Sequence, residues 1–373
     1  MNIIGYIIIS KNNSDMKAIL KNVFYLIFTI GIISCANNPQ RIHNETETIS
    51  LSGEEMHESS DYLGGFTLDF SEDTLFQLIS YSDYIFSAAT LQDDSLVLRT
   101  TFGKRGNGPH EMIKGNIIRK NDGNLLIVDS SVGFISKIYE LAPTFIHDCD
   151  KWTEYKIGAE ECLPGGAAVS LNDSCLLMLT APLNDVKSIM SIIDYKHSKV
   201  TQADFWPEDG YEGATLPKFM VYMSNAKLFA NSDGKILYHC GNSDLDFIFT
   251  VENGHIDIKT FINDEYPEYT AAKDGINYSM SLPNHEYRAF ATDDYIYLLN
   301  YNKSADGNAA KDYKQLRYGD EVDVYDWNGK KIKKLILEKG GYSIIINSDD
   351  SHLFLCSNDE ETGDCKWINY ELK

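Results

Sequence analysis

Asn121-Asp122-Gly123-Asn124-Leu125-Leu126-Ile127-Val128 joins a tight-turn signal to a run of branched apolar residues. Asn, Asp and Gly tolerate the positive φ that a short hairpin demands, and the apolar run that follows suits a β-strand. The same signature returns at Gln92-Asp93-Asp94-Ser95-Leu96, Asn172-Asp173-Ser174-Cys175, Ser232-Asp233-Gly234-Lys235-Ile236, Thr292-Asp293-Asp294-Tyr295-Ile296 and Ser348-Asp349-Asp350-Ser351-His352. After a shorter first interval the spacing is about 50 to 60 residues, the length of one four-stranded blade. Helical periodicity is almost absent after residue 60.

Six markers predict an all-β, six-bladed β-propeller over residues 61–373, with the blades set around a central channel. The interval from Asp94 to Asp122 is too short for a whole blade. Tyr84 to Phe102 is therefore read as strands that close the ring against the last blade, which ends at Trp367-Ile368-Asn369-Tyr370. Pairing the N- and C-terminal strands in this way removes open sheet edges. An outer strand is clearest at Val322–Ile332, where Asn328-Gly329 makes a hairpin into Leu335-Ile336-Leu337. The competing reading of the same pattern is a β-sandwich or an irregular β-protein. Insertions at 205–224, 263–285 and 301–319 are expected on a propeller face, where loops carry binding.

Composition narrows the partners. The 373-residue chain has a formal net charge of −22, with 23 tyrosines and 9 prolines. A phosphate backbone would be repelled, so nucleic acid is not an expected partner. At the N-terminus, Lys17 and Lys21 precede an apolar run from Val23 to Ile33, and Ile32-Ile33-Ser34-Cys35 follows. A basic flank and an apolar stretch too short for an ordinary membrane span, closed by a cysteine, form an export signal. The pattern resembles a bacterial lipobox, which implies lipidation at Cys35 and a mature chain that begins there. Met16 is the expected true start. Residues 1–35 are thus read as signal, and 36–60, rich in Asn, Glu, Ser and Thr, as a flexible tether.

Six cysteines remain. Cys356 and Cys365 flank an acidic turn and are positioned to face each other across two strands and pair, and Cys149 and Cys162 to bridge a loop. Cys175 and Cys240 lie in apolar strands and are expected as buried thiols. No Cys-x-x-Cys pair occurs, so a zinc ribbon or thioredoxin-type site is not supported.

The sharpest local motif is Phe102-Gly103-Lys104-Arg105-Gly106-Asn107-Gly108-Pro109-His110-Glu111. Its glycines release the backbone, Pro109 stiffens its exit, and Lys104 and Arg105 concentrate positive charge in an acidic chain. Exposed amides with these side chains would hold an anion or acidic peptide; the alternative is a shaped turn with Glu111 paired to a base. The segment resembles the Phe-Gly-x-x-Gly-x-Gly-Pro-x-Glu-Phe motif of a family of exported bacterial six-bladed β-propeller lipoproteins related to TolB-like and NHL-type propellers. Met112 replaces the final aromatic. Leu125–Asp129 and Tyr325–Lys330 agree with later parts of that pattern. The resemblance implies the propeller and the lipid anchor, and no particular reaction.

Linear catalytic motifs are missing. His110-Glu111 and His285-Glu286 begin like zincins, but Lys114 and Ala289 stand where the second histidine would be. No Gly-x-Ser-x-Gly elbow is present. The Asp-rich turns lack an EF-hand's ligand spacing. Acid pairs at Glu160-Glu161 and Glu360-Glu361 read as solvated loops. His239 is expected as a satisfied core residue and His352 as exposed. The leading expectation is a monomeric binding or scaffold module, without a cofactor. It would be lipid-anchored at the outer membrane facing the periplasm, and would contact an envelope protein, peptide or glycan. The alternative is a metal-dependent hydrolase or lactonase working in the channel, its ligands drawn from several blades.

Overall fold

The computed structural model describes residues 46–58, 66–71, 74–79, 82–92, 95–131, 134–157, 162–163, 166–272, 275–278, 285–301, 318–358 and 365–372. Cys35, the export signal, both acid pairs and most of the 301–319 insertion lie outside them.

Residues 47–58 hold three short strands, β1 (Glu47–Leu51), β2 (Glu54–Glu55) and β3 (His57–Glu58). Blade 1 is β4 (Phe66–Ser71), β5 (Thr74–Leu78), β6 (Tyr84–Gln92) and β7 (Ser95–Lys104). Blade 2 is β8 (Gly115–Arg119), β9 (Leu125–Asp129), β10 (Lys137–Leu141) and β11 (Thr153–Lys156). Blade 3 is β12 (Ala168–Ser170), β13 (Cys175–Met178), β14 (Ser191–Asp194) and β15 (Lys199–Gln202), followed by helix α1 (Thr215–Met223). Blade 4 is β16 (Lys227–Ala230), β17 (Ile236–His239), β18 (Leu245–Glu252) and β19 (His255–Asp264), followed by a hairpin of β20 (Tyr269–Ala272) and β21 (Gly275–Tyr278). Blade 5 is β22 (Ala289–Ala291), β23 (Tyr295–Asn300), β24 (Gly319–Asp326) and β25 (Lys331–Gly341), and blade 6 opens with β26 (Ser343–Ile346), β27 (His352–Asn358) and β28 (Cys365–Glu371). Each blade is an antiparallel meander. The first strands β4, β8, β12, β16, β22 and β26 touch in succession around the channel. The expected six-bladed propeller is the fold of this chain.

Strand periodicity explains why the sheets stack face to face. Every residue of β9 is buried. Leu125 and Ile127 pack with Phe76 and Ile85 of blade 1. The alternating Leu126 and Val128 pack with Leu176 and Ile193 of blade 3. Side chains that alternate across a pleat thus feed two inter-blade cores from one strand. Similar clusters join blades 3 and 4, blades 4 and 5, and blades 5, 6 and 1. Each fully buried Leu or Ile adds about 1.5–3 kcal/mol to this stack.

The turn signature works as its residues dictate. At 121–124, Gly123 takes φ +84°, and the Asp122 carboxylate accepts the Asn124 amide at 2.9 Å. The turns at 172–175, 232–236, 292–296 and 348–352 lie, like 121–124, between the first and second strands of successive blades. The marker at 92–96 differs, because it links the third and fourth strands of blade 1. That difference produces the short first interval.

Ring closure joins the chain's ends as expected, by strands other than those expected. Strand β2 pairs antiparallel with β28, Glu54 opposite Asn369 and Glu55 opposite Ile368. Tyr84–Phe102 instead completes blade 1. The closing strand sits inside the segment read as a tether, so residues 46–58 belong with the ring and not with a flexible linker. Its neighbours extend the strap: β1 adds in parallel to β25 of blade 5, and β3 in parallel to β7 of blade 1. One short segment therefore stitches three consecutive blades. Met56 is buried against the blade 5–6–1 core. Gly53 lets the strap cross close to blade 6, since a Cβ there would lie 2.6 Å from Ile368 and Tyr370 side-chain atoms.

Other expectations shift. The 205–224 insertion contains α1, and 263–285 contains the β20–β21 hairpin. Cys356 lies opposite Trp367, while Cys365 lies opposite Asn358, so the two cysteines do not face each other. The Cys356 thiol donates to the Tyr342 hydroxyl at 2.8 Å. Cys149 and Cys162 pack in different inter-blade clusters and are not bridged. Cys240 is buried as expected, whereas Cys175 is half-buried.

Candidate functional site

The 102–112 loop is built from groups that satisfy one another. Gly103 has φ +65°, and a Cβ there would lie 2.8 Å from the Phe86 ring, so the position requires glycine. The Glu111 carboxylate accepts the Gly108 amide at 2.9 Å and pairs with Lys104 at 2.5 Å. The Lys104 ammonium and the Gly108 amide hold this carboxyl below the usual carboxylate range. The neighbouring Gly106 amide donates to the Met112 carbonyl. Arg105 is spent on main chain, its guanidinium donating to the carbonyls of Ser82, Ile79 and Ile113 at 3.0–3.3 Å. Met112 is fully buried, which fits its standing in for an aromatic residue. The carboxylate of Glu111 therefore fills the place where an external anion was expected, and Pro109 and His110 complete a turn into blade 2, with the His110 ring against Tyr139. Asn107 rounds the tip of this turn.

A cavity of about 500 Å³ opens at the channel, where the inner strands of blades 2–6 converge. Its floor is apolar, with Ile117, Ala168, Leu228, Ala289 and Ile344 among the residues that line it. Its rim is polar. Asn116 donates to the Gly166 carbonyl at 3.3 Å, and exposed Lys114 stands beside it. Lys227 lies 3.5 Å from Glu286 and 5.0 Å from the centre of the Tyr287 ring. Helix α1 brings Met220 and Met223 to the same cavity. Its loop is anchored by a buried network in which Asp209 accepts from Lys218 at 2.6 Å, Tyr222 at 2.8 Å and Tyr269 at 2.7 Å. Burial pushes the Asp209 carboxyl upward, and these three donors outweigh it, leaving it below its usual range. This network fixes the helix over the channel rim.

A second polar cluster lies between blades 4 and 5, and no motif announced it. Asp246 is fully buried and accepts from His239 at 2.5 Å, Asn263 at 2.6 Å and Arg288 at 2.7 Å. Burial favours its neutral form, but Arg288 and His239 dominate and keep the carboxyl low. Arg288 also reaches Asp244 at 2.7 Å, and His285 approaches the same carboxylate oxygen at 2.9 Å. His285 Nδ1 lies 3.2 Å from the Ser243 carbonyl, which can only accept, so Nδ1 bears the proton. Burial lowers the His285 pKa below 6.5, so the ring is neutral at neutral pH. His239 is the satisfied core residue expected, its Nε2 donating to the His285 carbonyl at 2.7 Å. His352 is half-buried, not exposed, and bonds Asn369 at 2.9 Å.

Among the described residues, no three His, Cys, Asp or Glu side chains converge to hold a metal ion. No helix among them is long and apolar enough to cross a membrane.

Solved structures that share the fold are distant in sequence. The β-propeller domain of Cps50 (Swd1) from Myceliophteria thermophila is 12% identical with a TM-score of 0.43, covering 86% of this chain and 98% of that one. The WD40 repeats of RRP9 are 8% identical with a TM-score of 0.42, covering 86% and 97%. An oligogalacturonate lyase in complex with manganese is 10% identical with a TM-score of 0.39, covering 87% and 97%. At these identities the likeness concerns fold alone. No protein-family model and no curated protein matches the sequence.

Proposed function

We propose that this chain is a binding module of the bacterial cell envelope that engages a protein, peptide or glycan at the channel mouth. The observation that carries the reading is the cavity of about 500 Å³ whose apolar floor is ringed by Lys114, Asn116, Lys227, Glu286 and Tyr287. An apolar base with a few convergent polar groups is the usual make-up of a ligand site. Lipid attachment at Cys35 would hold the module at the outer membrane, facing the periplasm. The support for the anchor is the run from Val23 to Ile33 ending in Ile32-Ile33-Ser34-Cys35. Membership of the lipoprotein propeller family rests on the 102–111 motif.

Residues 44–373, which retain the strap, are the form to test against arrays of envelope glycans and peptides, with calorimetry on each hit. The expected result is a ligand whose affinity falls about tenfold or more in a Lys227→Ala, Tyr287→Ala double variant. A hit that binds the double variant as well as the parent would remove the channel mouth from the proposal. Mass spectrometry of the mature chain tests the anchor. An acylated N-terminal Cys35 is expected, and any other start without acylation would overturn that part.

A further inference from the structure

A pocket of about 440 Å³ opens between blades 4 and 5, beside the buried cluster and distinct from the channel mouth. Four carboxylates line it, and most already have a base. Asp244 faces Arg288 at 2.7 Å, Asp323 faces Lys331 at 2.7 Å, and Glu321 faces Lys334 at 2.5 Å. Asp320, exposed at the mouth, forms no ion pair among the described residues. Arg288 is shared with the buried Asp246, so the pocket keeps some negative charge, and calcium is therefore a necessary control. The pocket also keeps abundant acceptor capacity, because an ionised carboxylate has about four lone-pair sites and a single base uses one or two.

The donor side is also unfinished. Arg288 has 5% of its surface exposed, and its two terminal nitrogens serve Asp244 and Asp246. Its Nε–H is buried with no acceptor among the described residues. A buried donor left unsatisfied costs about 1–3 kcal/mol, which a ligand oxygen would relieve. Asn300 adds an amide to the same wall, and Tyr301 and Tyr325 supply ring surface. The neutral His285 ring, protonated at Nδ1, presents Nε2 as a further acceptor.

A pocket that offers both donors and acceptors between aromatic walls matches a hydroxyl group, which donates and accepts at once. We propose that this pocket binds a neutral saccharide, with ring hydroxyls donating to the pocket carboxylates and one hydroxyl oxygen accepting from Arg288 Nε.

The test uses residues 44–373 and a panel of neutral mono- and disaccharides, read by saturation-transfer NMR and titration. Methylguanidinium and calcium ions are parallel probes. At least one saccharide is expected to bind, and to bind about tenfold more weakly in Asp320→Asn, Asn300→Ala, each bond being worth up to about 1.5 kcal/mol. Both residues lie outside the buried ion cluster, so an unchanged melting temperature is expected and separates lost binding from lost folding. Lys227→Ala should leave this binding untouched. Three results would overturn the proposal: no saccharide of the panel binding; stronger binding of methylguanidinium or calcium at this pocket; or saccharide binding abolished by Lys227→Ala and indifferent to Asp320→Asn, Asn300→Ala. The last would assign the sugar to the channel mouth.

Discussion

The 102–112 loop and the cluster between blades 4 and 5 both gather charge, and they use it differently. In the loop, Glu111 reaches back over its own glycines, Lys104 closes on Glu111, and Arg105 is consumed by carbonyls of blade 1. In the inter-blade cluster, His239, Asp246, Asn263 and Arg288 are bonded deep in the wall, yet the pocket side retains an unused guanidinium N–H and spare carboxylate lone pairs. A conspicuous motif can exist to shape a turn. Side chains with no motif can carry the unfilled bonding capacity that a ligand needs. Residual capacity, and not local charge density, is the better guide to a site.

The largest effect expected in this comparison is from Asp246→Ala. Removing this carboxylate leaves Arg288 and His239 buried without their partner, and breaking one side of a buried ion pair costs about 3–5 kcal/mol. Urea denaturation would measure it, and a loss below about 1 kcal/mol would mean that the cluster does not hold blades 4 and 5 together. A smaller loss, about 1–2 kcal/mol, is expected from Gly103→Ala, the cost of a side chain in the left-handed region with Phe86 in its way. A neutral result there would show that the loop is not a shaped turn.

The smallest effect distinguishes the regions by pH. His285, faced by Asp244, Arg288, His239 and the Tyr301 ring, has a folded pKa below 6.5. The unfolded chain therefore binds the proton first, and stability declines as pH falls from about 6.5 toward the lower folded value. Glu111 has a folded pKa below 4.5, so its contribution is present above that value and is lost only as pH falls through the lower folded one. Melting temperatures between pH 7.5 and 5.5 should drop in the parent and drop less in His285→Asn. An identical slope in both would remove His285 as the mildly acid-sensitive group.

Much of the architecture was legible because β-hairpins announce themselves locally. Asn, Asp and Gly mark five first-to-second-strand turns, three of which place a residue at positive φ (Gly123, Gly234 and Asp350), and apolar runs follow them. The phase of blade 1 was misread because Gln92-Asp93-Asp94 carries the same chemistry at a different turn of the blade. The strap was hidden by its setting. Thr48-Ile49-Ser50-Leu51 alternates polar and apolar residues, but it is brief and lies in a polar stretch, so composition outweighed pattern. Of the inter-blade cluster only His239 was legible, as a satisfied core residue, since His239 and Asp246 sit on neighbouring strands of blade 4 while His285 and Arg288 arrive from the segment leading into blade 5. Only the stacking of two sheets brings them together.

Closure by the strap also dictates an order of events during folding. Glu55 meets Ile368, a partner about 310 residues downstream. At roughly 5–20 residues per second of synthesis, the N-terminal strand waits at least about 15 seconds before its mate exists. Until then the early blades can stack on one another, but the last blade lacks its outer edge and the first lacks its lateral support. Contacts of such long range are slow to form because their loop-closure entropy comes due before any gain. The circle is thus sealed last, and a chain cut short before β28 leaves β2 with nothing to clasp, although β3 can still lie on β7.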